Sequence, residues 1–263
     1  MIINTIDEHL LQQENRVRER HYPSDVTKCL RQLFYNWTGE EKSNPIEAGA
    51  LWKMKAGDAL HEMIIDIMQE SGYDIISEVA GKQSIDGLRH VLSYRIDGLF
   101  AKGIDTIGIE IKTSFGRGIK EIQKTQQPKD NDIAQVVMYM ELADIKEYHL
   151  VYFGRDNAYR TEFLFQMKDD GIYYNGKKSS ITFDGLIQRL VILEKHIKDN
   201  EIPSREYKVA IKNGEIKEKF QKNKVEYKSD WQCRYCQWRD RCWKQYVELS
   251  KQTGQSFHGK ELC

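Results

Sequence analysis

The chain has 263 residues, with 40 Lys and Arg balanced by 40 Asp and Glu, and 30% of its residues are charged. That length supports one sizeable core or two small ones. A formal net charge of zero excludes a uniform polycation and an acidic-tail protein, so any nucleic acid must be bound through patterned charge. No uncharged run approaches the roughly 18 residues of a membrane span, and MIINTIDEHLLQQENRVRER lacks the basic start and apolar middle of a signal peptide. The expectation is a soluble, cytoplasmic protein without a membrane partner.

The first element is a helix over residues 24–37, with Ser24 as N-cap and Val26, Leu30, Leu33 and Phe34 at helical spacing; Cys29 lies inside it. A longer helix runs from about Pro45 to Gln69. Its second half carries Leu60, Met63, Ile64 and Ile67 on one stripe and His61, Ile64, Ile65 and Met68 on another, which predicts a largely buried helix.

The period then changes. Residues 75–85 and 88–100 read as strands joined in a hairpin at Asp86-Gly87, and Thr106–Thr113 as a third strand. In the second strand Val91, Ser93, Arg95, Asp97 and Leu99 share a face by alternation. In the third, Glu110 and Lys112 project from one side, where Asp97 can join them. A polar stretch, Phe115 to Asn131, separates these strands from a helix at Asp132–Leu142, on which Gln135 and Tyr139 lie four apart. Strands near Glu147–Phe153 and Tyr159–Phe165 and an amphipathic helix at Phe183–Lys198 follow. Glu201 to Lys251 carries 13 Lys and Arg against 8 Asp and Glu, the most basic large region.

Two carboxylates converging from adjacent strands hold a hard divalent cation through oxygen, and a neighbouring lysine orients water or offsets charge on a phosphate. Singly, each part has a plainer reading: an ion pair on a solvated sheet face for Glu110 and Lys112, a satisfied core histidine for His61, and the edge of a packed helix for Gln135 and Tyr139. In Gly171-Ile-Tyr-Tyr-Asn-Gly176-Lys177 the spacing matches a phosphate loop, but Lys178 stands where Ser or Thr would reach magnesium, so this reads as a hairpin tip.

Of five cysteines, Cys29 stands early and Cys233-x-x-Cys236 with Cys242 late, a spacing that points to ligation before disulfides. From spacing alone a zinc site with Cys29 or His258 as fourth ligand is open. The C-x-x-x-C-x-x-C spacing of radical-generating clusters is absent. Cys263 reads as a free terminal thiol. Trp231, Tyr235, Trp238 and Trp243 interleave with Arg234, Arg239 and Arg241, as shielding around the cysteines or as a stacking and phosphate-binding platform.

Taken in order, G-x-x-x-H at Gly57–His61, Asp97, Glu110-x-Lys112 and Gln135-x-x-x-Tyr139 resemble the motif series of the RecB-like branch of the PD-(D/E)XK nuclease superfamily. The split cysteines resemble the four-cysteine [4Fe-4S] site of AddB and of CRISPR-associated RecB-like exonucleases. Two departures are visible: Ser93, Tyr94 and Arg95 stand where a glycine usually precedes the aspartate, and Ile96 replaces the name-giving proline.

The resemblance implies an α/β fold: a restriction-endonuclease-like core with a central mixed sheet flanked by helices, plus a helical iron–sulfur cap formed by the N- and C-terminal segments. Residues 1–56 would be the N-terminal segment, 57–200 the nuclease core and 201–263 the basic cluster-binding segment. His61, Asp97, Glu110 and the Ile111 carbonyl would ligate Mg²⁺ or Mn²⁺. Lys112 would position water and stabilise the transition state, and Gln135 and Tyr139 would contact phosphate or the attacking water. Cys29, Cys233, Cys236 and Cys242 would hold the cluster, closing a loop of about two hundred residues. Arg234, Arg239, Arg241 and Tyr139 would meet DNA. The implied activity is a single-strand DNA exonuclease, 5′ to 3′ favoured, with protein partners in CRISPR adaptation or phage recombination. A non-catalytic DNA-binding subunit with the same fold, or a zinc-stabilised adaptor, are the competing readings.

Overall fold

The computed structural model describes residues 1–12, 18–222 and 224–260; Cys263 lies outside the described residues. In chain order the elements are α1 (Ile2–Gln12), α2 (Leu30–Trp37), α3 (Ala48–Glu70), β1 (Ile75–Gln83), β2 (Leu92–Lys102), β3 (Asp105–Ser114), α4 (Gly116–Thr125), α5 (Asp130–Leu142), β4 (Glu147–Gly154), β5 (Arg160–Lys168), β6 (Gly171–Tyr174), β7 (Lys177–Lys178), α6 (Phe183–Asp199), β8 (Val209–Lys212), β9 (Glu215–Lys217), β10 (Lys219–Lys222), β11 (Val225–Lys228), α7 (Trp231–Arg234), α8 (Arg239–Thr253) and β12 (Phe257–Gly259). None of the described helices is long and apolar enough to cross a membrane.

The chain divides into two compact units. The larger takes residues 19–27 and 49–192; the smaller takes 1–18, 28–48 and 193–263. The larger unit is a seven-stranded sheet in the order β1 to β7, all antiparallel except for the parallel pair β3 and β4. A parallel pair needs a crossover, and α4 with α5 supplies it between β3 and β4. One face of the sheet, through Tyr148, Leu150, Tyr152, Phe163 and Phe165, packs in one apolar cluster with Ile119 and Ile122 of α4, Ile133 to Leu142 of α5, and Leu186, Ile187 and Leu190 of α6. On the other face Ile109 and Ile111 meet Ile75 and Ile65 of α3. This is the central mixed sheet flanked by helices expected of a restriction-endonuclease-like core.

Several local expectations are corrected. The early helix begins at Leu30: Pro23–Asp25 is a separate 3₁₀ turn, and Cys29, with extended ψ, is the residue that caps α2. Its apolar stripe belongs to two cores, because Val26 packs in the larger unit while Leu30, Leu33 and Phe34 pack in the smaller. Helix α3 is mostly exposed, with only Leu51, Gly57 and Ile65 buried, since one sheet face covers a single stripe of it. The 86–87 turn is part of a longer loop, because ladder pairing ends at Gln83 with Leu92. The stretch read as polar linker contains α4, whose signal was the pair Ile119 and Ile122, buried three apart amid charges. Asn175-Gly176 does form a hairpin tip between β6 and β7.

Strict alternation along β2 also fails. Leu99 joins Leu92 and Ile96 in one cluster, so the pleat shifts phase between 96 and 99. Opposite this break Glu78 on β1 adopts φ +53°, left unpaired between the Ser77 and Val79 pairings. Pairing of β2 with β3 runs from Gly98 to Lys102 and stops at Asp97.

The smaller unit is mixed where a helical cap was expected. Alongside α1, α2, α7 and α8 it holds a three-stranded sheet, β12-β8-β9, and the hairpin β10-β11. The alternating short runs Val209-Ala210-Ile211 and Glu215-Ile216-Lys217, split by Asn213-Gly214 with both residues at positive φ, are the local cause.

Gly108 shows how tightly β3 and β4 are joined. A Cβ there would lie 2.2 Å from the ring of fully buried Tyr148. Gly108→Ala should therefore cost about 1–3 kcal/mol of stability through overpacking, measured as a lowered urea midpoint with an unchanged slope.

Candidate functional site

The site forms where β2 and β3 part. With no backbone partner there, the Ile111 N–H donates at 2.8 Å to Asp97 Oδ2, so a carboxylate substitutes for a ladder carbonyl. This single bond brings the first carboxylate beside the strand that carries the second. His61, on α3, places Nδ1 3.7 Å from the same Asp97 oxygen. The G-x-x-x-H spacing has a packing reason: a Cβ on Gly57 would stand 3.2 Å from Thr113 Oγ1, so the glycine lets α3 approach the end of β3, and His61 follows one turn later.

Glu110 is 2% exposed. Its Oε1 accepts from Lys112 Nζ at 2.5 Å and from Gln135 Nε2 at 2.8 Å, and Lys112 also donates to Gln135 Oε1 at 2.8 Å. Gln135 Nε2 reaches Tyr139 Oη at 2.7 Å, and the Tyr139 ring stacks on Tyr148 at 6.2 Å. Glu110 Oε2, by contrast, is buried without any hydrogen-bond partner. Burial, partly countered by Lys112, pushes the Glu110 carboxyl up to about 8, with Asp97 and Asp132 adding to the rise. For Lys112, burial favours the neutral amine, but Glu110, Asp132 and Asp97 outweigh it and hold the ammonium above its ordinary range.

The structure thus brings together Asp97, Glu110, Lys112, Gln135 and Tyr139, with His61 at the margin. The His61, Asp97 and Glu110 donor atoms do not lie within 4.8 Å of one another, so the three form an open set. Ile111 contributes its N–H to Asp97; its carbonyl sits in β3, next to Glu110. The donor chemistry suits a hard divalent cation: two carboxylates, an imidazole, and one buried carboxylate oxygen with no hydrogen-bond partner.

Sequence reasoning missed Asp132. It stands three residues before Gln135 on α5, accepts from Tyr152 Oη at 2.6 Å, and its charge acts on both Glu110 and Lys112. The D-x-x-Q-x-x-x-Y spacing, which puts all three on one helix face, was the available signal.

Within the smaller unit Cys29, Cys233, Cys236 and Cys242 form a second constellation. Cys236 and Cys242 pack on the cluster of Leu30, Leu33, Phe34 and Trp238, and Cys233 and Cys242 on that of Val209, Ile211 and Trp243. None is in a disulfide. Burial first, then the other thiols, pushes Cys233 up to about 12; burial likewise raises Cys236 to about 12, with Cys29 and Cys242 contributing. Four half-buried thiols near one another are a donor set that suits a thiophilic metal group. No three of their sulfurs lie within 4.8 Å of one another. His258 is turned elsewhere, with Nε2 3.1 Å from the Lys228 carbonyl.

The aromatics around the cysteines divide. Trp238 and Trp243 are buried, while Trp231 and Tyr235 are exposed. Each candidate arginine meets a carboxylate of its own unit: Arg234 pairs with Glu218, Arg239 with Asp240, and Arg241 with Glu40 at 2.5 Å.

The buried carboxylate has a pH signature. A proton held to about pH 8 when folded and lost in the ordinary carboxylate range when unfolded makes stability greatest in acid and lowers it as pH rises through 8. Lys112, raised, acts in the same direction at higher pH. In chelator, the urea midpoint should therefore fall between pH 5 and 8; Glu110→Gln should flatten the fall, and added Mn²⁺ should offset it in the native chain but not in the variant.

No protein-family model and no curated protein matches the sequence. Among solved structures the chain is similar to the crystal structure of SSO0001, at 17% identity and TM-score 0.53, covering 90% of this chain and 94% of that one. It is also similar to LHK-Exo, an alkaline exonuclease from Laribacter hongkongensis, at 17% identity and TM-score 0.48, covering 73% of this chain and 93% of that one. LHK-Exo in complex with dAMP gives 18% identity and TM-score 0.49 over the same shares. At such identities, the likeness to SSO0001 is one of fold.

Proposed function

We propose that this protein is a metal-dependent deoxyribonuclease of the RecB-like PD-(D/E)XK type, acting on single-stranded DNA or single-stranded ends as an exonuclease, with 5′ to 3′ polarity favoured. The observation that carries the reading is Glu110: a fully buried carboxylate with one oxygen bound by Lys112 and Gln135 and the other left orphaned, beside Asp97. A structural ion pair would satisfy both oxygens; a metal ligand leaves one for the metal.

His61, Asp97, Glu110 and the Ile111 carbonyl would hold Mg²⁺ or Mn²⁺. That group would supply Lewis-acid polarisation of the scissile phosphate and activation of water as the nucleophile. The Lys112 ammonium, fixed by Glu110 and Gln135, would orient the attacking water and meet charge that develops on the phosphate oxygens. Gln135, held in turn by Tyr139, keeps Lys112 in place; Tyr139 is buried, so its part is to position Gln135 and to border the substrate phosphate. Asp132 balances the Lys112 charge.

Residues 57–200 would make up the nuclease core, and residues 1–56 and 201–263 the cluster-binding segments, with Cys29, Cys233, Cys236 and Cys242 holding a structural [4Fe-4S] cluster. Zinc with four thiolates requires sulfurs about 3.8 Å apart. Trp238 and Trp243 would shield the cluster, and Arg234, Arg239 and Arg241 would reach DNA only by exchanging their present carboxylates for phosphates. Partners in CRISPR adaptation or phage recombination, and a cytoplasmic location, go with this reading.

Glu110→Ala and Lys112→Ala should each abolish Mn²⁺-dependent cleavage of end-labelled linear single-stranded DNA, a loss of at least about 10³-fold, while circular dichroism stays unchanged. Full cleavage by both variants would remove the site. An anaerobic preparation should be brown, absorb near ~400 nm and contain iron and sulfide without stoichiometric zinc. Cys236→Ala should lose the colour; a colourless zinc protein would replace the cluster with a zinc site.

A further inference from the structure

Beyond Lys112, β3 ends at Ser114 and the next residue, Phe115, is 54% exposed. Single exposed apolar side chains are common on protein surfaces, so what sets Phe115 apart is what holds it. One of its faces is covered: the Arg155 guanidinium lies 5.2 Å from the ring centroid. Parallel pairing of β3 with β4, with Ser114 opposite Gly154, places the two residues side by side, and Arg155 N–H donates to the Ser114 carbonyl at 2.8 Å.

The arginine is itself fixed. Its Nη1 donates at 2.7 Å to the carbonyl of Lys53, on the helix that carries His61 two turns later, and its Nε is buried without a partner. The loop after β4 is tied down as well: Asp156 Oδ1 accepts from Gly116 N–H at 2.6 Å, and Gly154 N–H donates to the Tyr159 carbonyl at 2.7 Å. Tyr159, 38% exposed, repeats the arrangement with Lys120 5.4 Å from its ring. No described residue forms an ion pair with Lys120 or with Lys124, the next lysine along exposed positions of α4.

We propose that Phe115, backed by Arg155, is a base-stacking platform for single-stranded DNA entering the site, with Lys120 and Tyr159 as a second contact for the same strand. The inference rests on the nuclease reading above and adds where the strand lies. A preoriented ring with one face backed by a cation accepts any base, and the exposed lysines of the helix that follows it can meet the phosphates. Along β3 the backbone of Phe115 lies about 10 Å beyond that of Lys112, a span that two nucleotides of a strand bridge. A duplex, whose bases are stacked on each other, has no base to offer except at its end.

The test uses the full chain, fluorescein-labelled (dT)₂₀ and fluorescence anisotropy without added divalent ion. Phe115→Ala should weaken binding about tenfold, the equivalent of one stacked base, with an unchanged melting temperature; Phe115→Trp should restore it. An oligonucleotide with abasic residues should bind the native chain about tenfold more weakly and Phe115→Ala no more weakly than (dT)₂₀ does. Equal binding of (dT)₂₀ by native chain and Phe115→Ala overturns the platform, as does the same loss on the abasic strand. Cleavage by the native chain with unchanged binding by Phe115→Ala sinks the platform alone, whereas a native chain that neither cleaves nor binds (dT)₂₀ sinks the nuclease reading with it.

Discussion

A carboxylate buried in an apolar layer is the constraint around which the larger unit is arranged. Moving an isolated ionised group from water to a protein interior costs several kcal/mol even after relaxation, so every neighbour of Glu110 is placed to lower that cost. Lys112 supplies the opposite charge from two residues along the same strand, and Gln135 binds both members of the pair, which prevents either from rotating away. Tyr139 and Tyr148 close the space above and keep water out. The remaining oxygen is left unsatisfied, a local cost that a binding site tolerates and a purely structural pair has no cause to retain.

The sheet around this group is correspondingly irregular. If β2 and β3 had paired along their whole length, the Ile111 N–H would bond a carbonyl and Asp97 would be one more residue on a strand face. The break at Asp97, with the left-handed Glu78 opposite it, turns a ladder position into a carboxylate ligand for an amide and opens the sheet beside Glu110. The parallel pairing of β3 and β4 then carries both strands out to one end, where Phe115 and Arg155 meet. The break between β2 and β3 shapes the surroundings of Glu110, and the parallel pairing of β3 with β4 sets Phe115 beside Arg155.

The smaller unit answers a different need. Its two apolar clusters are small, and its four cysteines, contributed by residues far apart in the chain, stand between them. Two small clusters give little burial for a segment that includes so many charged residues, and a cross-linking group among the thiols would stabilise the unit by restricting the unfolded chain. The arginines near the cysteines are matched by carboxylates of the same unit.

What the sequence determined by itself was whatever depends on short spacing. Period-two and period-3.6 patterns located β3, β4, α5 and α6 within a residue or two, and β5 with its end three residues short. The i, i+2 and i, i+4 relations of Glu110 with Lys112 and of Gln135 with Tyr139 held because a strand and a helix impose them whatever surrounds them. Only the tertiary structure decided the rest. Whether α3 is buried depends on how much of it one sheet face covers; α4 was hidden because two isoleucines amid charges become a buried stripe only when a sheet lies beneath them. The phase break at Asp97, the division of Val26 from Leu30 and the placement of Asp132 beside Lys112 each arise from partners distant in the chain, and local periodicity contains no term for such partners.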